Sequence, residues 1–156
     1  MCIRDSLSGS FSRIESSLSI NDSGKFEDRW VYLKKKSEKC VWTAPLEDIT
    51  YLPVAHGEGK FIPKDKSVLK AIRENDQIVF TYCDEEGKPS GYPVNPNGSV
   101  DDIAGICDAS GRVFGLMPHP ERHIAHTQNP RWTRMENLCP GGLEVFRNGV
   151  RTAAKL

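Results

Sequence analysis

The sequence predicts an α/β domain, and three observations carry that prediction. Apolar runs of strand length recur along the chain, for example over 29–33, 78–82 and 102–107. One helical pattern lies between the strands, over 68–74, and a second lies near the end of the chain, over about 142–154. Strands interspersed with helices are typical of the α/β class, in which a sheet and its helices bury one shared core.

Composition bounds the class of protein further. The 156 residues include 21 Lys and Arg balanced by 21 Asp and Glu, which predicts no nucleic-acid footprint and no membrane-surface patch. The apolar runs are far shorter than the roughly 20 residues that a membrane helix needs. The five cysteines form no C-x-x-C pattern, so we expect reduced thiols and a cytoplasmic protein.

The N-terminal stretch differs from the rest of the chain. Residues 1–18 have neither the apolar core of a signal peptide nor a hydrophobic period. Their first six residues, Met-Cys-Ile-Arg-Asp-Ser, resemble a prefix seen in translated environmental assemblies. We therefore expect 1–18 to be a doubtful non-native or disordered prefix and 19–156 to be a partial domain.

The first half of the domain alternates turns and strands. Asn-Asp-Ser-Gly at 21–24 predicts a turn before strand 29–33, and a second strand is predicted over 49–55, interrupted by Pro53. His-Gly-Glu-Gly follows at 56–59. Two glycines beside polar residues predict either a backbone that approaches a ligand closely or a tight turn with a solvent-facing histidine.

The second half holds the helices and a hairpin. Ser67 is the predicted cap of helix 68–74, and the long Gly- and Pro-rich loop 84–98 is predicted to be functional. Strands 102–107 and 112–117 flank Asp-Ala-Ser-Gly, which predicts a β-hairpin. Along the terminal helix, apolar side chains recur at helical spacing and are expected to face the core: Leu143, Phe146 and Val150.

The candidate catalytic residues lie in the stretch that follows the hairpin, Pro-His-Pro-Glu at 118–121. Each proline favours an extended chain around it, and residues two apart in an extended chain share a face. His119 and Glu121 are therefore predicted to lie together at the end of a strand. There the carboxylate can orient the imidazole and stabilise its charged form, as a general base and its orienting group require.

Two other interpretations of this stretch remain open, and a third can be set aside. An isolated His-x-Glu pair can be a surface coincidence. A metal site is the second alternative, since four candidate ligands are crowded together, although no paired cysteines accompany them: His119, Glu121, His123 and His126. A zinc deaminase needs Pro-Cys-x-x-Cys, whereas here Cys139 precedes Pro140 and no second cysteine follows.

None of the cysteines is a good nucleophile for His119. The predicted hairpin puts Cys107 roughly 20 Å from His119, at about 3.3 Å per residue. Cys83 lies beside Asp84 and Glu85, which raise the pKa of a thiol. The remaining cysteines lie in no activating context or in the doubtful prefix: Cys40, Cys139 and Cys2.

Four motifs together resemble a known family. They are Asn-Asp-Ser-Gly-Lys-Phe-Glu-Asp-Arg-Trp-Val at 21–31, Pro-Val-Ala-His-Gly-Glu-Gly-Lys-Phe at 53–61, Asn-Pro-Asn-Gly-Ser at 95–99 and Gly-Leu-Met-Pro-His-Pro-Glu-Arg at 115–122. The chain resembles the class I glutamine amidotransferase subunits of phosphoribosylformylglycinamidine synthase from about Ser19 onward. This resemblance implies the C-terminal part of a flavodoxin-like domain.

The resemblance also implies a mechanism based on a Cys-His-Glu triad. Within it, His119 carries the proton to the departing ammonia, Glu121 orients His119, and a cysteine attacks the glutamine side-chain amide. His56, Gly57 and Glu58 are implied to line the glutamine pocket. The nucleophile of the family lies in a Gly-x-Cys-x-Gly-x-Gln elbow before the motif at 21–31, and no such stretch occurs here. We therefore expect a fragment that is inactive alone.

The implied function is the supply of ammonia for the ATP-dependent conversion of formylglycinamide ribonucleotide to formylglycinamidine ribonucleotide in purine biosynthesis. The implied partners are glutamine and a synthetase subunit, with a small accessory subunit as a further candidate. No cofactor or metal is expected in this chain, because ATP and Mg²⁺ belong to the synthetase. Two alternatives remain: the C-terminal end of a fused form of the same synthase, and a catalytically dead docking module.

Overall fold

The computed structural model describes residues 15–44, 46–134 and 140–155. Within those ranges the chain forms β-strands, two α-helices and several short 3-10 turns. In chain order the elements are β1 (Ser16–Ser19), β2 (Glu27–Lys35), β3 (Ile49–His56), β4 (Lys60–Pro63), α1 (Lys66–Glu74), β5 (Ile78–Cys83), β6 (Ile103–Cys107), β7 (Phe114–Leu116) and α2 (Gly141–Ala153). Neither helix in these ranges is long and apolar enough to cross a bilayer.

The main sheet has five strands in the order β3-β2-β5-β6-β7, and every neighbouring pair is antiparallel. Its central strands bury alternate side chains, as a two-residue strand period requires. In β2, for example, Val31 and Leu33 are buried, whereas Trp30 and Tyr32 are partly exposed. A second sheet pairs β1 with β4. The predicted α/β class is confirmed.

Strand β1 lies where no strand was predicted. Its first three residues fall within the stretch 1–18 that we expected to be non-native or disordered, yet they pair with β4 from Ser16 opposite Pro63 onward. Only Leu18 is a large apolar residue there, so the sequence carries no alternating pattern. Residues 1–14 lie outside the described residues, and the non-native origin of the prefix stays a prediction.

The sheet curls until its two edges come together. Beyond β7, the amide of Met117 donates to the carbonyl oxygen of Ala104 in β6 at 3.0 Å. Two residues later, the amide of His119 donates to the carbonyl oxygen of Pro53 in β3 at 2.8 Å. Because β3 is the opposite edge strand, these bonds place His119 between the two ends of the sheet.

Two local predictions need correction. Pro53 does not interrupt its strand, since β3 continues to His56 and Pro53 pairs with Trp30. Proline is tolerated in an edge strand, where its missing N–H has no partner to lose. Helix α1 begins at Lys66, and Asp65 is its cap instead of Ser67. The Asp65 carboxylate accepts from the amides of Ser67 and Val68, as an N-cap side chain does.

The predicted hairpin is confirmed, with Cys107 opposite Phe114. Its turn is held by Asp108, whose carboxylate accepts from the amides of Ser110, Arg112 and Val113. His119 lies five residues beyond Phe114, so the hairpin carries it away from Cys107. The predicted loop 84–98 is also free of helix and strand.

Helix α2 has the predicted bounds to within one residue, but the side that we expected to face the core is wrong. Phe146 and Val150 are 41% and 70% exposed. The buried side instead carries Gly142, Val145 and Asn148. Glycine brings the helix so close to the chain after β7 that a Cβ on Gly142 would overlap the Pro120 carbonyl oxygen and lie 2.7 Å from the His123 oxygen.

We expect Gly142→Ala to lower the free energy of unfolding by about 1–3 kcal/mol, because the added methyl group meets fixed backbone oxygens. In an open helix the same change would be mildly stabilising. Gly141→Ala is the matched control, since its methyl group would lie 2.8 Å from a side-chain atom of Thr50 and would not overlap a backbone oxygen. Urea denaturation of both variants measures the difference, and equal stabilities would contradict the packing.

Candidate functional site

The segment after β7 places the predicted catalytic pair. Residues 120–122 form a single 3-10 turn, with the amide of His123 bonded to the Pro120 carbonyl oxygen at 3.0 Å. The predicted extended conformation from Met117 to Glu121 is therefore wrong beyond His119. Pro120 suits the first position of a helical turn, because its fixed φ already matches and its missing N–H would have had no partner there.

His119 and Glu121 do come together, by way of this turn. His119 Nδ1 lies 2.6 Å from Glu121 Oε1. Both side chains are accessible, at 29% and 55% exposure. With Nδ1 donating to the carboxylate, Nε2 of a neutral His119 is left as an acceptor, which is the arrangement of an oriented general base. The backbone amide of His119 donates to the Pro53 carbonyl oxygen in β3, so the edge strand fixes the position of the histidine.

A cavity of about 260 Å³ adjoins this pair. His119 lines it together with His56 and Glu58, so two of the predicted substrate-binding residues share a cavity with the predicted base. The rest of the wall is largely apolar, with Leu18, Phe61, Ile103, Ile106, Leu116 and Met117 among the lining residues. Gly57 is not among the lining residues, and its carbonyl oxygen accepts from the main-chain amide of Asn21 at 3.0 Å.

His56 is buried, contrary to the alternative of a solvent-facing histidine in a tight turn. Gly59 makes this burial possible, because a Cβ at that position would lie 2.5 Å from His56 Nδ1. Our prediction of the pocket stopped at Glu58 and so missed Gly59. The glycine was visible in the sequence, but the ring that packs against it was not.

The long loop supports the turn at 56–59. The side-chain amide of Asn97 donates to the Gly59 carbonyl oxygen at 2.7 Å and to the Tyr82 hydroxyl at 3.1 Å. Ser99 Oγ accepts from the Phe61 amide at 2.9 Å. Asn97 and Ser99 are both buried. The loop end therefore acts on the cavity by fixing its wall, not by lining it.

Asn21 is a second residue that sequence reasoning missed as part of the site. It is 2% exposed, and its side-chain amide donates to the carbonyl oxygens of Lys25 and His56 at 2.8 and 2.7 Å. Its Oδ1 lies 3.1 Å from the Gly59 amide and 3.0 Å from His56 Nδ1. The sequence predicted the turn that Asn21 opens, but not its contacts with a turn 35 residues later.

The clustered histidines do not make a metal site. His123 is fully buried, with Nδ1 bonded to the Tyr51 carbonyl oxygen at 2.9 Å. His126 is exposed and packs its ring against Trp132 with 5.4 Å between centroids. Across 15–44, 46–134 and 140–155, no group of three His, Cys, Asp or Glu side chains is arranged to hold a metal ion.

The described cysteines also stay out of the cavity, where none of them is a lining residue. Burial and the neighbouring Asp84 raise the pKa of Cys83 to about 11, in the predicted direction. We did not predict that a hydrogen bond with Cys107 lowers the pKa of Cys40. The thiols of Cys40 and Cys107 are within the core, at 0% and 1% exposure, so neither reaches a substrate. Cys2 and Cys139 lie outside the described residues.

Two buried histidines should make the fold sensitive to acid. Burial lowers the pKa of His56 and of His123 below the ordinary value near 6.5. As the pH falls below about 6.5, the unfolded chain therefore binds protons that the folded chain does not bind. The free energy of unfolding has its full value above about pH 6.5 and decreases as the pH falls further. Urea denaturation from about pH 5 to pH 7 measures this slope. Replacing His123 by Asn should reduce it, whereas His126→Asn should not.

Comparison with known proteins places this arrangement in a family. The sequence pattern of the CobB/CobQ-like glutamine amidotransferase domain matches residues 8–152. A relative from Methanococcus maripaludis, phosphoribosylformylglycinamidine synthase subunit PurQ, is 43% identical over an aligned length of 148, and the alignment covers 86% of this chain and 54% of that protein. The PurQ subunit of Archaeoglobus fulgidus is 54% identical over an aligned length of 112, and the alignment covers 69% of this chain and 41% of that one.

A solved structure agrees in fold. The structure of PurLQS from Thermotoga maritima matches with a TM-score of 0.65 and 28% identity, over 92% of this chain and 55% of the matched chain. The chain thus spans about half the length of the relatives it matches. Because the family pattern matches residues 8–152, the chain belongs to the family of CobB/CobQ-like glutamine amidotransferase domains.

Proposed function

We propose that the chain is part of a glutaminase subunit that hydrolyses glutamine and supplies ammonia for the ATP-dependent amidation of formylglycinamide ribonucleotide. The observation that carries this proposal is the accessible pair of His119 and Glu121 beside a cavity that His56 and Glu58 also line. The names of the relatives support the same reaction and favour a separate subunit over a fused synthase.

In the proposed mechanism, glutamine enters the cavity with its side-chain amide toward His119. His119 takes the proton of a cysteine thiol, and the resulting thiolate attacks the amide carbon; His119 then gives that proton to the ammonia that leaves as the C–N bond breaks. Glu121 holds His119 through Nδ1, so that Nε2 faces the reaction. Water then releases glutamate from the thioester. The resemblance places the cysteine upstream of Asn21, and the buried cysteines of the described residues do not serve.

The partners belong to the same proposal. The family resemblance and the PurLQS match support a synthetase subunit and a small accessory subunit as neighbours, with ATP and Mg²⁺ used by the synthetase. No cofactor or metal is proposed for this chain. The three cysteines within the described residues, Cys40, Cys83 and Cys107, are free thiols, which supports a cytoplasmic location. A catalytically dead docking module would have no use for an oriented His119, so we do not favour it.

The test compares the chain with a hybrid protein. In the hybrid, the part of the Methanococcus maripaludis relative that precedes the matched region is fused ahead of this chain. We expect glutamine-dependent ammonia release from the hybrid together with the synthetase subunit of the same organism, and none from residues 1–156 alone. Ammonia release by the chain alone, abolished by His119→Ala, would show that its nucleophile lies within these residues.

A further inference from the structure

The outer face of β2 and β3 carries a row of aromatic rings. Along β2, Trp30 and Tyr32 alternate with the buried core residues and therefore point away from the core. Tyr51 in β3 lies directly opposite Tyr32, and 4.3 Å separates the centroids of the two rings. The centroids of Trp30 and Tyr51 are 5.2 Å apart. The three rings thus form a continuous aromatic surface outside the core.

An open cleft of about 510 Å³, which we call the outer cleft, is lined by all three rings. Its lining also includes Pro93 and Val94 from the long loop and the segment 129–131, which follows the turn at 120–122. Within the described residues, none of those that line the outer cleft also lines the cavity beside His119. The outer cleft is therefore separate from the proposed glutamine site.

The lining has the composition of a protein interface. Trp, Tyr and Arg are enriched at the centres of protein–protein interfaces, where they supply much of the binding energy, whereas Lys is depleted. In the described part of the chain, the lining contains one Trp, two Tyr and two Arg but no Lys. One of the arginines, Arg29, is already held by Glu27 and lies over the Tyr92 ring at 5.0 Å. This composition indicates a protein partner.

Arg131 and Tyr51 offer donors that a ligand can reach. Arg131 is exposed and forms no ion pair within the described residues. Burial raises the pKa of Tyr51, and the positive charge of Arg131 opposes that rise, so the guanidinium lies near the phenol. The Tyr51 hydroxyl has no acceptor among the described residues and is not one of the buried unpaired atoms, so solvent reaches it. A guanidinium and a protonated phenol are both donors, as a carboxylate requires.

The acids of the outer cleft are occupied within the chain. The Asp84 carboxylate accepts from two main-chain amides of its own turn, at 3.0 and 2.8 Å. Burial raises the pKa of Tyr32, and both the charge of Glu85 and a hydrogen bond with it act in the same direction. Glu85 is therefore engaged by Tyr32. The charge of Arg131 is the one left for a partner among the described lining residues.

The surface beside Arg131 carries further positive charge. Between Glu121 and Glu136 the sequence has no Asp or Glu. Trp132, the next residue after Arg131, is 44% exposed. The same segment presents three exposed arginines: Arg122, Arg131 and Arg134. Because protein interfaces pair opposite potentials, the partner that fits this surface is acidic.

We propose that the outer cleft docks an acidic segment of the synthetase subunit, whose carboxylate accepts from Arg131 and Tyr51 while an apolar side chain packs on the aromatic rings. The proposal rests on the proposed function for the identity of this partner, which the match to PurLQS supports. The segment that carries Arg131 follows the turn of Glu121, so this contact holds the synthetase near the place where ammonia is released.

The test measures the dissociation constant between the full chain and the synthetase subunit of Methanococcus maripaludis by titration calorimetry. Arg131→Glu should raise the constant about tenfold or more, because it replaces a donor by a like charge. Tyr51→Phe keeps the ring and removes only the hydroxyl, so we expect an increase of about three- to tenfold.

Lys70→Glu is the matched control. It makes the same change in charge on α1, where the Lys70 side chain is 73% exposed and lies outside the outer cleft. We expect this variant to bind as the unaltered chain does. Equal weakening by Arg131→Glu and Lys70→Glu, or no binding by the unaltered chain, would overturn the proposal.

Photochemical crosslinking identifies the occupant. A benzophenone side chain placed at position 132 should crosslink to a synthetase peptide that contains Asp or Glu. The same group at position 146, which is also exposed but lies on α2, should not. Capture of the small accessory subunit in place of the synthetase, or of a synthetase peptide without acidic residues, would show that the assigned occupant is wrong.

The hybrid protein described above separates this inference from the proposed function. Ammonia release from glutamine by the hybrid, combined with normal synthetase binding by Arg131→Glu and Tyr51→Phe, would sink the inference alone. Binding that depends on Arg131 and Tyr51, combined with no ammonia release by the hybrid, would support the docking site and remove the proposed function.

Discussion

Replacing His119 by Ala in the hybrid protein should lower kcat for glutamine hydrolysis on the order of 10⁶-fold, the loss typical when the base of a triad is removed. His119 is the only histidine lining the cavity with an oriented ring and an exposed edge, among the residues that the structure describes. Ammonia release measured under saturating glutamine reports kcat directly. Hybrid activity that survives this substitution would remove His119 from the mechanism.

Glu121→Ala should have a smaller effect, on the order of 10⁴-fold, because the imidazole remains and only its orientation is lost. The carboxylate lies 2.6 Å from Nδ1 and has no other role in the described contacts. His126→Ala is the control, since His126 contacts Trp132 and lies outside the cavity. An equal loss in all three variants would indicate damage to the fold and not a specific role of His119 and Glu121.

The second large effect is on stability. Asn21→Ala should reduce the free energy of unfolding by about 3–5 kcal/mol, because it leaves several buried donors and acceptors without partners. The buried groups that lose their partner are the carbonyl oxygen and Nδ1 of His56 and the Gly59 amide, and the part-buried carbonyl oxygen of Lys25 loses its partner as well. Urea denaturation of the purified chain measures the loss.

Asn75→Ala provides the comparison for this prediction. Asn75 ends helix α1 through its backbone, and its side chain is exposed. We expect a change within about 0.5 kcal/mol, as for most surface substitutions. If Asn21→Ala is equally mild, the hydrogen bonds around His56 do not hold the turn.

The hairpin and the contact between His119 and Glu121 could be predicted because their signals are local. Asp-Ala-Ser-Gly at 108–111 is a turn signal between two apolar runs, and the structure pairs the strands as expected. That register was enough to remove Cys107 from the site. His119 and Glu121 were placed together correctly, but for a partly wrong reason, since a helical turn replaces the extended chain that two prolines suggested.

The orientation of α2 could not be predicted from apolar spacing. Leu143, Phe146 and Val150 form the most hydrophobic stripe, and hydrophobicity alone directs that stripe inward. The side of α2 that faces the core is instead the one with small residues, because Gly142 and Gly149 let the helix approach the Pro120 carbonyl oxygen and the Trp42 ring. Small residues mark a close contact only when the partner surface is known, and that surface comes from distant parts of the chain.

The cavity was the least predictable part for the same reason. His56 and Glu58 were named from the resemblance, yet the burial of His56 depends on Asn21 and Gly59, and the turn is held by Asn97. Each contact joins segments that are far apart in sequence. Sequence patterns describe the period of one element well, but they do not report which elements meet.

The meeting of the two sheet edges governs when the contact between His119 and Glu121 can form. His119 is fixed by Pro53, and His123 bonds to Tyr51 across 72 residues of intervening chain. Such non-local contacts form only after most of the loop-closure entropy has been overcome, so they belong to the late stages of folding. A short peptide carrying Pro-His-Pro-Glu would therefore lack the geometry of the site. Grafting this pair onto another scaffold would require both edges of the curled sheet.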